Sequence, residues 1–235
     1  MQRVALGRAI IGEAQVLLLD EPLSNIDAFL RPSMVRELTH LHKRLAITTL
    51  YVTHDQADAL RLGDRVAVLD RGVLQQVGTP HELLDEPANL FVAGFIGTPP
   101  MSFVPARLIG DLVHLPFGLI RMDATRLKRV REGGTFVAGV RPVYADDTMS
   151  LDPADDDFIH ITDDEMAVSG EMEPFERDLA GLPARVGSGS VRSQLVASLR
   201  AEGLMPPGRA DRVYVETRRI HLFDPTTGEN LTRRV

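Results

Sequence analysis

The chain has 235 residues, enough for one or two domains of about 100–200 residues each. Hydrophobic residues at 44% and charged residues at 25% make an ordinary globular composition, and a net charge of −7 argues against a nucleic-acid binder. With no cysteine the chain forms neither disulfides nor thiolate metal sites, and no apolar run approaches the ~20 residues that span a bilayer.

Residues 2–14 read as a helix, with Val4, Ile10 and Ile11 broadly on one side. Residues 1–19 faintly mimic a secretory leader. However, Arg8 and Glu13 interrupt any apolar core, and Asp20-Glu21-Pro22 is no small-residue cleavage site. Val16-Leu17-Leu18-Leu19 is a continuous aliphatic run, the pattern of a parallel strand covered on both faces, and it ends in two carboxylates. Ligands of open parallel sheets gather at the carboxyl ends of the strands, so Asp20 and Glu21 are the first candidate site residues. A polar turn, Ser24-Asn25-Ile26-Asp27, leads into a long amphipathic helix with Leu30, Met34, Leu38, Leu41 and Leu45 at spacings of three and four. Pro32 fits that helix only in its first turn, where a missing N–H costs nothing.

A second, β-branched strand is expected over 48–53, ending at His54-Asp55-Gln56, and a short helix from Gln56 towards Leu62 is stopped by Gly63. Residues 65–69 and 73–77 are predicted strands around the hairpin-like turn Asp70-Arg71-Gly72. Thr79-Pro80-His81-Glu82 is a capping box that opens another helix. Near Gly97-Thr98-Pro99-Pro100 the helical periodicity stops. Short apolar bursts follow at 136–140, 158–162, 213–217 and 220–223, separated by turn residues, as in a small all-β domain. Two units are therefore expected, 1–97 and 98–235. Between the bursts lies an acidic stretch with Asp146, Asp147, Asp152, Asp155, Asp156, Asp157, Asp163, Asp164 and Glu165. It lacks the ligand spacing and central glycine of a calcium loop and reads as a solvated segment.

Each site signal has a structural reading when taken alone. An acid pair after a strand often caps a helix, and a lone histidine such as His54 is usually structural or exposed. At the ends of consecutive strands joined by a helix, the two signals together point to a site. His40, His42, His81, His114, His160 and His221 show no metal-ligand spacing and read as structural or surface residues.

Leu17-Leu18-Leu19-Asp20-Glu21-Pro22-Leu23-Ser24-Asn25-Ile26-Asp27 and Tyr51-Val52-Thr53-His54-Asp55-Gln56 resemble the ATP-binding subunits of ABC transporters, in the sugar and glycerol-phosphate importer branch. Arg3-Val4-Ala5-Leu6-Gly7-Arg8-Ala9 resembles the helix after that family's Leu-Ser-Gly-Gly-Gln signature. Phe91-Val92-Ala93-Gly94-Phe95-Ile96-Gly97 is similar to the segment closing its nucleotide-binding domain. Gly139-Val140-Arg141-Pro142 and His221-Leu222-Phe223-Asp224 resemble parts of its C-terminal regulatory domain. The resemblance implies an α/β fold: a partial P-loop NTPase domain of ABC type over 1–97, then a small all-β regulatory, OB-like domain over 98–235. It implies ATP and Mg²⁺ as cofactors. Asp20 would hold Mg²⁺ through water, and Glu21 would take a hydrogen bond from the attacking water. His54 matches the switch histidine that contacts the γ-phosphate. Ser24, Asn25 and Asp27 match the loop lying across the dimer interface, with Ile26 in place of the usual Leu and Asp58 where many members have Glu.

The implied partners are a second ATP-binding subunit (a homodimer or a paired subunit), two transmembrane permease subunits and, indirectly, an extracytoplasmic solute-binding protein. No nucleic acid is expected. The implied place is the cytoplasmic face of the cytoplasmic membrane, and the implied function is to energise carbohydrate uptake. Two alternatives stay open: an inactive remnant or interaction module of such a transporter, and an importer ATPase for glycerol phosphate, a polyamine or an oxyanion. Val143 stands where a Glu often follows the Gly-Val-Arg-Pro string, which weakens the sugar reading.

No G-x-x-x-x-G-K-S/T motif occurs, and the nearest glycine cluster, Gly187-Ser188-Gly189-Ser190, has no lysine. That motif supplies the backbone nest and the lysine that hold the phosphates. The family's glutamine loop and signature are absent too. By the resemblance, the chain is expected to be N-terminally truncated, to fold poorly before residue 97 because a sheet edge is left unpaired, and to be inactive alone.

Overall fold

The computed structural model describes residues 15–24, 26–27, 29–45, 47–98, 100–115, 118–141, 158–161 and 213–234. The predicted helix over 2–14, the named acids between 146 and 165, Asn25 and the cluster at 187–190 lie outside them. Among the described residues the chain divides into two compact units. One holds residues up to 67 with 77–81, and the other holds 68–76 with the residues from 82 onward. Helices and strands are mixed, an α/β organisation, and no described helix is long and apolar enough to cross a membrane.

In the first unit, β1 (Val16–Asp20) and β2 (Thr48–Val52) pair in parallel, with Val16 opposite Thr48 and Asp20 opposite Val52. The connection between them is α1 (Arg31–Leu45), and Pro32 sits in its first turn as expected. Met34, Val35 and Leu38 of α1 are buried with Leu23, and Ile26, Tyr51 and Leu62 pack against them. The helical stripe differs from the sequence reading at one end, since Leu30 is exposed and Val35 takes its place in the core. His42, Lys43 and Arg44 fill the last turn of α1, where cations complement the helix dipole.

The expectation that β1 is covered on both faces does not hold. Leu17 is buried, and Leu19 lies opposite Tyr51 on the face that meets α1. Val16, Leu18, Leu50 and Val52 alternate to the other face and are exposed. Side chains along a strand alternate with a period of two, so a helix on one side covers only half of an apolar run.

The chain leaves β2 through His54 and Asp55 and enters α2 (Gln56–Leu62), which ends at Gly63. Asp55 caps α2, its Oδ1 accepting from the backbone N–H of Ala57 at 2.8 Å and of Asp58 at 3.3 Å. Next, β3 (Val66–Asp70) and β4 (Val73–Gly78) form a two-stranded sheet. Arg71 and Gly72 both have positive φ, 48° and 80°, the signature of a type I′ hairpin turn.

After α3 (Pro80–Asp85), of which residues from 82 onward belong to the second unit, that unit contains α4 (Leu90–Phe95) and a five-stranded antiparallel sheet. Its strands are β5 (Ser102–Ile109), β6 (Leu112–Leu115), β7 (Gly118–Arg121), β8 (Thr135–Val140) and β11 (His221–Phe223), in the order β11-β8-β5-β6-β7. Two further strands, β9 (Phe158–Ile161) and β10 (Val213–Glu216), make a separate antiparallel pair. One face of the large sheet is a core of Val104, Ala106 and Leu108 from β5 with Val113, Ile120, Phe136, Ala138, Val140 and Leu222. On the other face Met101, Val137 and Phe223 are buried with Ala93 of α4.

Two cations, Arg126 buried and Arg141 part-buried, hold this unit together through backbone carbonyls. Arg126 donates to Arg218 O at 2.8 Å and Ile220 O at 2.7 Å, and Arg141 donates to Ile96 O at 2.7 Å. Burial lowers the Arg141 guanidinium to about 10. Nearby, Asn230 donates to Pro87 O at 2.8 Å and lies 3.2 Å from His221 Nδ1. The chain's last strand is thereby tied to the segment between α3 and α4.

Candidate active site at the ends of two parallel strands

Because Asp20 pairs with Val52, the chain leaves β1 and β2 at the same end of the sheet. The pairing continues one step further, with the Glu21 N–H donating to the Val52 carbonyl at 2.9 Å. Glu21 has φ 43°, in the left-handed region where a side chain is strained. Such strain persists where surrounding structure over-determines it, and such positions cluster at functional sites. His54, two residues beyond β2, brings Nδ1 to 2.9 Å from Glu21 Oε1. A carboxylate only accepts, so in this pair Nδ1 carries the proton. Both side chains are open to solvent, Glu21 by 46% and His54 by 70%, so a solute can reach them without rearrangement of the core.

The turn after Glu21 is closed by Ser24, whose Oγ donates to the Glu21 carbonyl at 2.9 Å. Asp27 then precedes α1 by one turn. Its Oδ1 accepts from Phe29 N–H at 2.8 Å, and its carbonyl accepts from Leu30 and Arg31 N–H at 3.0 Å each. Asp20 is the exposed last residue of β1. Glu21 and His54 are thus in direct contact, Ser24 is bonded to the Glu21 backbone, and Asp27 stands at the far end of the same turn.

No family model matches the chain. Individual relatives do. The trehalose import ATP-binding protein SugC of Mycobacterium tuberculosis is 38% identical over 98% of this chain and 63% of its own length. The trehalose/maltose import ATP-binding protein MalK of Thermococcus litoralis is 41% identical over 97% of this chain and 60% of its own. The sn-glycerol-3-phosphate import ATP-binding protein UgpC of a Ruegeria species is 40% identical over 98% and 60%. The chain is homologous to ABC importer ATP-binding subunits. It spans about three fifths of the length of these relatives.

Sequence reasoning missed a cluster of charge behind His54. Arg31 Nη2 donates to Asp58 Oδ2 at 2.7 Å and lies 3.1 Å from Asp55 Oδ2. Asp58 is only 4% exposed, and its hydrogen bond is the main cause raising the Arg31 guanidinium above its ordinary value. Beside them the Tyr51 phenol is pushed up to about 12, first by burial and then by the charge of Asp58. A signal was present: Asp55 and Asp58 are three apart at the start of a helix, so both can meet one cation. Their cation sits 27 residues upstream, and only the parallel pairing of β1 and β2 makes that choice visible.

Proposed function

We propose that this chain acts as an ATP-hydrolysing subunit of an ABC importer that energises uptake of carbohydrates across the cytoplasmic membrane. The observation that carries the reading is the 2.9 Å pair of Glu21 and His54 at the ends of neighbouring parallel strands. The relatives named for import of trehalose and maltose support the carbohydrate class, and the one named for sn-glycerol-3-phosphate supports the alternative solute. In this reading Glu21 exchanges its hydrogen bond from His54 for one from the attacking water and takes the proton. His54, released, donates to the terminal phosphate of ATP. Ser24, Asn25 and Asp27 face a second ATP-binding subunit across a dimer interface.

Asp20 suits Mg²⁺, which keeps much of its water and takes remaining ligands from one or two carboxylates and nucleotide phosphates. An exposed single carboxylate at a strand end is that kind of partner, and among the described residues no group of three or more His, Asp or Glu could cage a metal. When bound, the ion would neutralise phosphate charge. The β-rich part over 98–235 serves as an OB-like regulatory domain in this reading. Two transmembrane permease subunits and an extracytoplasmic solute-binding protein complete the transporter at the cytoplasmic face of the membrane.

ATP binding and hydrolysis by the purified chain with Mg²⁺ test the proposal. Glu21→Gln should lower kcat about 10²- to 10³-fold while ATP binding persists, as for loss of a positioned base. Absence of ATP binding and turnover in the wild type, or turnover indifferent to Glu21→Gln, would overturn it. The same assay separates this reading from the inactive one suggested by the absence of the phosphate-loop motif from the sequence.

A further inference from the structure

Arg31 takes no part in the chemistry proposed above, yet it touches both loops that carry the site. Its backbone N–H is bonded to the Asp27 carbonyl at 3.0 Å, which anchors it to the turn following Glu21. Its guanidinium grips Asp58 at 2.7 Å and Asp55 at 3.1 Å. Asp55 is the neighbour of His54, and while Oδ2 meets Arg31, Oδ1 caps α2. Asp58 is buried, and a buried carboxyl group left without a partner is costly. Tyr51, with its phenol pushed up to about 12, stays neutral and supplies no competing charge. Its hydroxyl is buried with no hydrogen-bond partner among the described residues, and Arg31 meets the charge of Asp58. A single guanidinium nitrogen, Nη2, meets both carboxylates, so one cationic group ties the two acids together.

We propose that Arg31 is a positioning residue: by gripping Asp55 and Asp58 it holds the His54 loop where Nδ1 meets Glu21. The exposed Glu21–His54 contact is a weak tether, because solvent screens it and two mobile side chains must be held in one geometry. The part-buried bridge from Arg31 is screened less and is set by the start of two helices. The consequence for turnover rests on the ATPase reading above, whereas the structural claim does not.

The test is nitrogen NMR of the His54 ring in the full chain. Wild type should show the proton on Nδ1, the form imposed by Glu21 rather than the one favoured by a free imidazole. Arg31→Gln should shift the ring towards the free-solution mixture, and Arg31→Lys should restore the Nδ1–H form in part. Asp55→Asn keeps the helix cap but loses the charge that Arg31 meets, so it should also shift the ring. A wild-type ring signature in a folded Arg31→Gln or Asp55→Asn chain would overturn the proposal. Should Arg31→Gln fail to fold, Asp55→Asn decides. In the same samples kcat for ATP should fall about 10- to 100-fold with KM unchanged. A wild-type chain without turnover would sink the ATPase reading and leave the ring signature to judge Arg31.

Discussion

His221 is 2% exposed, and burial, reinforced by the charges of Arg126 and Arg141, lowers it to about 3. The imidazole is therefore neutral in the folded chain, with Nδ1 accepting from Asn230 and the other ring nitrogen bonded to the Asp85 backbone. The unfolded chain binds the proton at about 6.5, so between about 6.5 and about 3 it holds more protons than the folded one. The stability contributed by a neutral His221 is complete above the upper value and is lost as pH falls towards the lower one. Urea unfolding at about pH 7 and about pH 5 should show wild type losing about 2 kcal/mol more than His221→Gln. Equal losses would show that the ring is not held neutral. The sequence marked His221 only as structural or surface, and its neutrality comes from burial and from neighbours at positions 126, 141 and 230 that no local pattern connects. Glu21 and His54 were more legible, because an acid and a histidine ending consecutive strands is a pattern in the order of residues. Their 2.9 Å contact required the strand register.

At the scale of the element, the β3–β4 turn is the plainest case of sequence dictating geometry. Arg71 is held at φ 48° and Gly72 at φ 80°, and a Cβ added at Gly72 would meet nothing within 4 Å. Any cost of Gly72→Ala is therefore backbone strain, and the variant should lose about 1 kcal/mol in urea unfolding. Arg71→Asn should gain a few tenths of a kcal/mol, because Asn-Gly is the favoured pair for this turn. Opposite shifts of the two midpoints would support the assignment, and a neutral Gly72→Ala would refute it. Gly139 is glycine for a different reason: a Cβ there would sit 2.3 Å from Met101 Sδ and 2.7 Å from Phe223. Short elements with local stop signals, such as α2 before Gly63, were legible because caps and turns are chemistry of adjacent residues. The two-sided burial expected for β1 failed because coverage of a face depends on what packs there, and an aliphatic run looks the same either way.

At the scale of the molecule, composition changes near residue 98, whereas the ties across that point are long-range. Ala93 is buried with Met101, Val137 and Phe223, and Leu90 packs against them. Asn230 bonds Pro87 across 143 residues of chain. On the upstream side, Gln76 donates to Glu86 O at 3.1 Å and accepts from Ala88 N–H at 2.7 Å, and Asn89 donates to Gln75 at 2.8 Å, which braces the segment carrying Pro87. A fragment beginning at residue 98 would lose Leu90, Ala93 and Pro87 as partners. Phe223 and Val137 would lose their cover, and Asn230 its carbonyl. The part-buried Arg141 guanidinium would lose the Ile96 carbonyl to which it donates. Each loss of a buried partner costs about 1–3 kcal/mol, and uncovering apolar side chains adds a similar amount. A fragment covering 66–235 keeps the hairpin, α3 and α4, and should exceed the fragment covering 98–235 by at least about 3 kcal/mol in urea unfolding. Coincident unfolding curves would mean that the β-rich unit closes without the segment from 66 to 97, and that the ties through Pro87, Ala93 and Ile96 contribute nothing to its stability.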